Sequence, residues 1–415
     1  MNVEYVTIQF PVPPETFATN EVRVLRELDV RIIVHGLRPS HPLAQPLLRE
    51  RGLEGVVVTH NGLGPSLRGV LAGLLRPKLL AQALGWIVRS NHRNWRDAAV
   101  SLALLPRAFD ILSGIERRRP DVVHMYWGHF PTIVGFLVQH SLREVVTSVS
   151  IVAYDLEREY GGAPSVAVRA DVIRTHARVN AERLARFTGV PPDQINVIYN
   201  GVDLRWLERV RDRNVKARHR IVVAGRLTER KGMREALRVF ARVLERWPTA
   251  TLVMLGDGPD RPVLEKLRDS LGLGTTVELM GHVPHERVVR ELAKAEVFML
   301  LSRSEGERLP NAVKEAMACG CICITTPTPG ISELVTHGVT GFVIDAADVD
   351  RATHVIDDVF AGRVDTQTLV NSAREHISAT FDLYATAPRF TELWDAAIRS
   401  RQASRSGRQR RARAT

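Results

Sequence analysis

The chain has 415 residues, too many for one hydrophobic core and enough for two domains. An apolar share of 45% and a charged share of 25% are those of an ordinary globular protein and exclude fibrous and disordered classes. The net charge of +11 is concentrated: Gly62–Arg119 holds ten Lys/Arg against three acids, Ala397–Thr415 holds seven Arg and no acid, and the remainder sums to −3. A body this close to neutral argues against a nucleic-acid partner.

The opening MNVEYVTIQFPVPP has no basic n-region and breaks at Pro11, so it does not read as a signal peptide. No run approaches the roughly 20 apolar residues of a membrane span, and a cytoplasmic location is expected. VEYVTIQF predicts a first strand and PVPPETFATNEVRVLREL a turn and helix; VRIIVHGL and GVVVT follow as strands. Alternating strands and helices predict a parallel, doubly wound sheet, which places the loop at Pro13–Phe17 on its carboxyl edge.

From Leu63 to Ile115 the alternation breaks. SLRGVLAGLLRPKLLAQALGWIVRS and DAAVSLALLPRAFDILSGI read as helices with Arg/Lys-rich polar faces and Trp86 and Trp95 nearby. Two readings stand: helices lying on an anionic membrane surface, or helices packed on the sheet with solvated arginines. DVVHMYW and VVTSVSIVAYD, the latter ending at Asp155, resume the strands; ADVIRTH and INVIYNG complete them, and Asn200–His219 reads as the domain junction.

A second alternating series, IVVAG, ATLVMLG, TVELMG, VFMLLS, CICIT and GFVI, forms the clearer sheet. Cys319, Cys321 and Cys323 lie in or beside one of its strands. Ligands of a metal converge from turns, so these read as buried free thiols and no metal is expected. From Phe381 to Arg399 a final helical pattern has no strand after it, and the Arg-rich end beyond it is expected to be disordered.

Three loops of the second series converge on one carboxyl edge. GRLTERKG presents Arg226 and Lys231, two cations suited to a diphosphate. GDGPDR allows close backbone approach at Gly256 and Gly258, and SEGERLPN precedes a helix opened by Pro310. Glu307 and Glu315 flank the N-terminus of that helix, where free N–H groups attract an anion and carboxylates can accept from hydroxyls.

GRLTERKGM, LGDGPDR and the Glu307…Glu315 pair before AMACG resemble the retaining family-4 glycosyltransferases of GT-B fold. FPVPPETFATNEVRVLREL is similar to the opening of their exopolysaccharide branch, and NVIYNGVD to their domain junction. The resemblance implies two Rossmann-like domains facing across a cleft. An acceptor-side domain would span 1–205 with a helical insertion at about 63–119, and a donor domain 206–380. A helix at 381–400 would cross back to the first domain, and 401–415 would be the basic tail.

The resemblance also implies roles. Arg226 and Lys231 would hold the diphosphate of a nucleotide sugar, Glu307 the transferred sugar and Glu315 the ribose. Gly225, Gly256 and Gly258 would line the donor, Leu309, Pro310 and Asn311 would meet the distal phosphate, and Gly281, His282 and Val283 the base. Glu15, Thr16, Phe17, Tyr126, His129 and Asp155 would stand on the acceptor side. The same resemblance implies that the acceptor would be a glycan or lipid-linked glycan, that anomeric configuration would be retained, and that neither metal nor cofactor would be needed.

Four departures stand out. Arg308 replaces a glycine, so either Glu307 or Glu305 is the first acid; Glu307 keeps the family's distance to Leu309-Pro310-Asn311. Tyr126 replaces a histidine, with His129 as the substitute or as a structural residue. Val152 stands where a histidine often precedes Asp155, and Pro14 replaces a serine. A catalytically silent nucleotide- or membrane-binding scaffold and a nucleotide-sugar epimerase are the alternatives.

Overall fold

The computed structural model describes residues 1–415 except Pro14, Asp212, Arg213 and Thr415, and only the backbone of residues 407–414. The departure at Pro14 therefore lies outside the described residues. The chain divides into two units, one of Met1–Gly201 with Leu383–Thr415, the other of Val202–Asp382.

The first unit is built on strands β1 (Asn2–Thr7), β2 (Arg31–Gly36), β3 (Val57–Thr59), β4 (Val122–Met125), β5 (Val146–Ser150), β6 (Val172–Thr175) and β7 (Ile195–Val197). Its helices are α1 (Thr16–Glu27), α2 (Ala44–Glu50), α3 (Leu63–Leu74), α4 (Pro77–Ser90), α5 (Trp95–Arg118), α6 (Thr132–Ser141), α7 (Ala153–Arg158), α8 (Ala163–Ala167) and α9 (Val179–Thr188). The sheet is parallel in the order β3-β2-β1-β4-β5-β6-β7, so the strand order reverses direction between β1 and β4. Alternation along each strand feeds two cores. Val3 and Tyr5 of β1 pack with Val22 and Leu25 of α1, whereas Val6 packs with Phe109 and Leu112 of α5 and Ile133 and Val134 of α6.

The second unit comprises α10 (Leu204–Arg211), β8 (Arg220–Ala224), α11 (Met233–Arg246), β9 (Thr251–Leu255), α12 (Arg261–Ser270), β10 (Val277–Gly281), α13 (His285–Lys294), β11 (Val297–Leu300), α14 (Asn311–Ala318), β12 (Ile322–Thr325), β13 (Phe342–Val343), α15 (Val349–Phe360) and α16 (Thr366–Phe381). Its parallel sheet runs β10-β9-β8-β11-β12-β13 and reverses between β8 and β11. Amphipathic α11 buries Met233, Leu237, Phe240 and Val243 at helical spacing into the same core as Ile221, Leu252 and Val297. The three cysteines are free and buried, with burial pushing the Cys319 thiol above its usual range.

Returning to the first unit, α17 (Leu383–Thr386) precedes α18 (Pro388–Ala414). The final helix expected from Phe381 is thus broken at Asp382, and Pro388 opens its last segment. The Arg-rich end continues α18 instead of leaving it, because Arg, Gln and Ala extend a helix readily once it is nucleated. Phe390 and Trp394 are its anchors: both are buried against Tyr5 and Val122, and the indole Nε1 of Trp394 donates to Ser148 Oγ at 3.0 Å. Arg401 adds a forked pair to Asp171 at 2.7 and 2.8 Å.

Two further expectations change. VVTSVSIVAYD ends as a strand at Ser150, and Asp155 falls in the first turn of α7, where its Oδ2 accepts the Val152 N–H at 2.9 Å. An acid is well placed at a helix start, and the capping bond ends the strand early. The insertion is the helical trio α3–α5, but its two tryptophans part company. Trp86 is buried, stacked on Phe136 at 4.5 Å and bonded to Ser165 Oγ at 2.7 Å, whereas Trp95 is 73% exposed.

Candidate active site

In an open parallel sheet the ligand position is the crevice beyond the carboxyl ends of the strands where the order reverses. In the second unit that point lies between β8 and β11, and the loops leaving these two strands contain Lys231 and Glu307. The two side chains form an ion pair between Nζ and Oε1. Glu307 is only 10% exposed in its side chain, and its second oxygen, Oε2, is buried without a hydrogen-bond partner among the described residues. The loops are also tied through backbone: Arg303 N donates to Arg230 O at 2.7 Å, and Ser302 Oγ to the same carbonyl at 3.2 Å. Arg226 is exposed on the β8 loop, and Glu305 is exposed on the β11 loop. Of the two candidate acids, Glu307 is the one drawn to the cation.

The neighbouring turns close up around this point. Gly225 N donates to Leu255 O at 2.9 Å, Leu227 N to Asp257 O at 3.0 Å and Gly256 N to Gly281 O at 2.9 Å, which carries the line of loops from β8 through β9 to β10. Gly256 sits at φ 124°, and a Cβ there would lie 2.0 Å from the Gly225 carbonyl oxygen, so no other residue fits. Gly258 is in the same turn, while His282 is exposed and Val283 half-buried just past β10.

After the β11 loop, α14 begins with Pro310 as its cap; the first carbonyl bonds run from Val313 and Lys314 N–H to Pro310 O at 3.1 and 3.2 Å. The N–H groups of Asn311 and Ala312 precede that ladder and form the positive end of the helix. Leu309 is buried and pins the loop to the core, and Asn311 Oδ1 accepts from Lys314 Nζ at 3.2 Å. Glu315, one turn in, is buried and bonded to His285 Nε2 at 2.9 Å; the His285 ring is stacked on Trp206 at 4.8 Å. Neither His285 nor Trp206 stood out in the sequence, where only the neighbouring Gly281, His282 and Val283 were placed near the edge.

In the first unit the reversal lies between β1 and β4. Arg51 fastens the loop after β1 by donating to Val12 O at 3.1 Å and Pro13 O at 2.8 Å. Glu15 ends that loop half-buried, and burial pushes its carboxyl up to about 7. Thr16 opens α1, and its carbonyl accepts from Thr19 Oγ1 at 2.8 Å. Phe17 stacks on Tyr126 at 6.1 Å, and Tyr126 stacks in turn on Tyr5 at 5.1 Å. Tyr126 is 3% exposed, so this candidate is a core aromatic; burial, with Glu21 nearby, raises its phenol well above the ordinary value. His129 and Asp155 are brought together, Nδ1 to Oδ1 at 2.6 Å, both buried. His124 lies between Ser148 and Ser150 in the core, and burial lowers its pKa to about 3, which keeps it neutral. A buried set that the sequence did not reveal joins Tyr5 OH to Glu21 at 2.7 Å and Arg174 to Asn200 at 2.5 Å.

Two doubly wound parallel sheets in one chain define the GT-B class of fold. The family described as Glycosyl transferases group 1 matches residues 205–376, nearly all of the second unit. The amylovoran biosynthesis glycosyltransferase AmsK of Erwinia amylovora is 24% identical over 95% of this chain and 99% of its own length. A GDP-mannose-dependent alpha-(1-6)-phosphatidylinositol monomannoside mannosyltransferase of Mycolicibacterium smegmatis is 29% identical over 46% of this chain, which spans only 53% of that protein. Among solved structures, Alr3699/HepE of Anabaena, crystallised with UDP, superposes with a TM-score of 0.70 over 95% of this chain and all of its own, at 16% identity, a likeness of fold alone.

Proposed function

We propose that the protein is a retaining, metal-independent glycosyltransferase. It moves a hexose from a UDP- or GDP-sugar to a glycan or lipid-linked glycan acceptor in cell-surface polysaccharide biosynthesis. The observation that carries this reading is the Lys231–Glu307 pair at the strand-order reversal, beside the open start of α14. In the reaction the bond from the sugar's anomeric carbon to the diphosphate breaks, one to an acceptor hydroxyl oxygen forms, and the hydroxyl proton passes to the departing diphosphate oxygen. Lys231 and Arg226 stabilise the charge gathering on the departing diphosphate, with the Asn311 and Ala312 N–H groups at its distal phosphate. Glu307, whose Oε2 has no partner among the described residues, accepts from hydroxyls of the transferred sugar. Glu315 accepts from the ribose, whose hydroxyls take over from His285.

The names of AmsK and of the mycobacterial mannosyltransferase support a polysaccharide or glycolipid product, and a lipid-linked acceptor supports a peripheral position on the inner face of the plasma membrane. A silent scaffold would have no use for a buried acid held against a lysine at the ligand crevice. The test is a thermal-shift panel of nucleotides and nucleotide sugars: UDP or GDP should raise Tm by binding the folded state only. Lys231→Ala and Arg226→Ala should abolish that shift; a shift that survives both would remove the diphosphate from this site.

A further inference from the structure

The helical insertion carries a surface that the transfer reaction does not use. Helix α3 rests on α5 through small residues: Gly69 lies so close that a Cβ would meet the Pro106 carbonyl oxygen at 1.7 Å, and Ala72 and Gly73 are buried beside it. Its large apolar residues therefore point the other way. Leu63, Leu67, Val70, Leu71, Leu74 and Leu75 are exposed, from 47% at Val70 to 87% at Leu63. A soluble helix reverses this arrangement, with leucines inward and small or polar residues outward. By length and composition α3 and α4 together are apolar enough to cross a membrane, but they bend by 108° at their break. α5 passes the same test yet is a core helix, with Leu105, Phe109 and Leu112 buried.

Charge decides what covers this face. The three acids of the insertion are engaged: Asp110 by Arg68 and Arg107, Glu116 by Arg76, and Asp97 by Arg158. Lys78, Arg89, Arg93 and Arg96 are exposed, and none has a carboxylate partner among the described residues. The pairs Arg68–Asp110 and Arg76–Glu116 set α3 and α5 running the same way, so Leu63 points toward the end where Arg93, Trp95 and Arg96 lie. Lys78 follows the opposite end of α3. A leucine strip with unpaired cations and an exposed indole at its ends matches the acyl boundary and headgroups of an anionic bilayer. A second copy would set like charges against like.

We propose that α3 is a membrane-docking helix that lies in the plane of an anionic lipid surface, with its leucines in the acyl boundary and Lys78, Arg93 and Arg96 on headgroup phosphates. The proposal rests on the reading above only in placing the acceptor at a bilayer, and it is measured without any nucleotide sugar. Full-length protein is sedimented with vesicles of equal parts phosphatidylcholine and phosphatidylglycerol. It should pellet at low salt with a blue shift in tryptophan emission that Trp95→Phe removes, and pellet less with phosphatidylcholine alone.

Raised salt should release only part of it, because screening weakens the cations and leaves the leucines buried. The variant Leu67→Ser/Leu71→Ser/Leu74→Ser, altered only at exposed positions, should keep its Tm and its response to UDP or GDP while partitioning about tenfold less or weaker still. Wild-type protein that stays in the supernatant overturns the proposal, and so does a triple variant that pellets as well. A wild-type dimer that the triple variant turns into a monomer assigns the face to a second copy and also overturns it. Vesicle binding with no response to any nucleotide would sink the donor reading and leave this one standing.

Discussion

The two sheets share one topology and use its reversal point in opposite ways. Beyond β8 and β11 the second unit has glycine turns, an open helix start and an ion pair with an unsatisfied carboxylate oxygen. Beyond β1 and β4 the first unit is filled: Phe17, Tyr126 and Tyr5 are stacked in series, and His129 is turned onto Asp155. A parallel sheet supplies a crevice in either case. Whether the crevice receives a ligand depends on what the loops leave unpaired, and beyond β8 and β11 a buried carboxylate oxygen of Glu307 has no hydrogen-bond partner among the described residues.

Four experiments bear on that contrast. The largest effect is expected from Lys231→Ala, which removes a diphosphate cation and strands Glu307: turnover should fall roughly a thousandfold, and steady-state kinetics with a matched nucleotide sugar measures it. A fall of similar size from Tyr126→Phe would erase the difference between the edges. Next comes Trp394→Ala, which empties a fully buried site of the first unit and should cost about 3–5 kcal/mol. Calorimetry should then show one transition lowered and the transition of the second unit unmoved.

Glu307→Gln against Glu305→Gln is the finer comparison. The first should lower kcat about a hundredfold and the second by no more than about twofold; the reverse order would move the acid by two residues. The smallest effect concerns Glu15. Burial raises its carboxyl to about 7 in the fold, so folding takes up a proton there. That contribution to stability is complete below the ordinary carboxylate range and is lost as pH rises through about 7. In urea melts Glu15→Gln should therefore gain on the wild type as pH goes from about 5 to about 8, and a constant difference would contradict the burial of this acid.

Legibility divides along the same line. The donor-type edge could be read from sequence because its chemistry is local: a glycine that must hold φ 124°, a proline at a helix start and cations within one loop leave a signature in a few consecutive residues. The parallel, doubly wound character of both sheets, by contrast, followed from alternation alone. Tyr126 could not be read, because its burial is decided by Tyr5 and Phe17, which are distant in the chain. His285 reaches Glu315 from a different βα unit, a contact that no spacing encodes. Trp86 and Trp95 looked alike in one basic segment, and only the packing of Phe136 and Ser165 separated them. The Arg-rich end misled through composition: a segment whose only apolar residues are alanines still continues the backbone of a helix that Phe390 and Trp394 have anchored.

That anchor also sets an order of assembly. The second unit is one uninterrupted stretch, Val202–Asp382, and holds every contact of its own core before the last helices are made. The first unit begins at the first strand yet lacks Phe390 and Trp394 until all of the second unit has been synthesised. Domains fold as units during synthesis, and contacts across such distances form slowly. The part of the molecule translated first is thus completed last, with Tyr5, Val122 and Ser148 waiting for an indole separated from Ser148 by 246 positions.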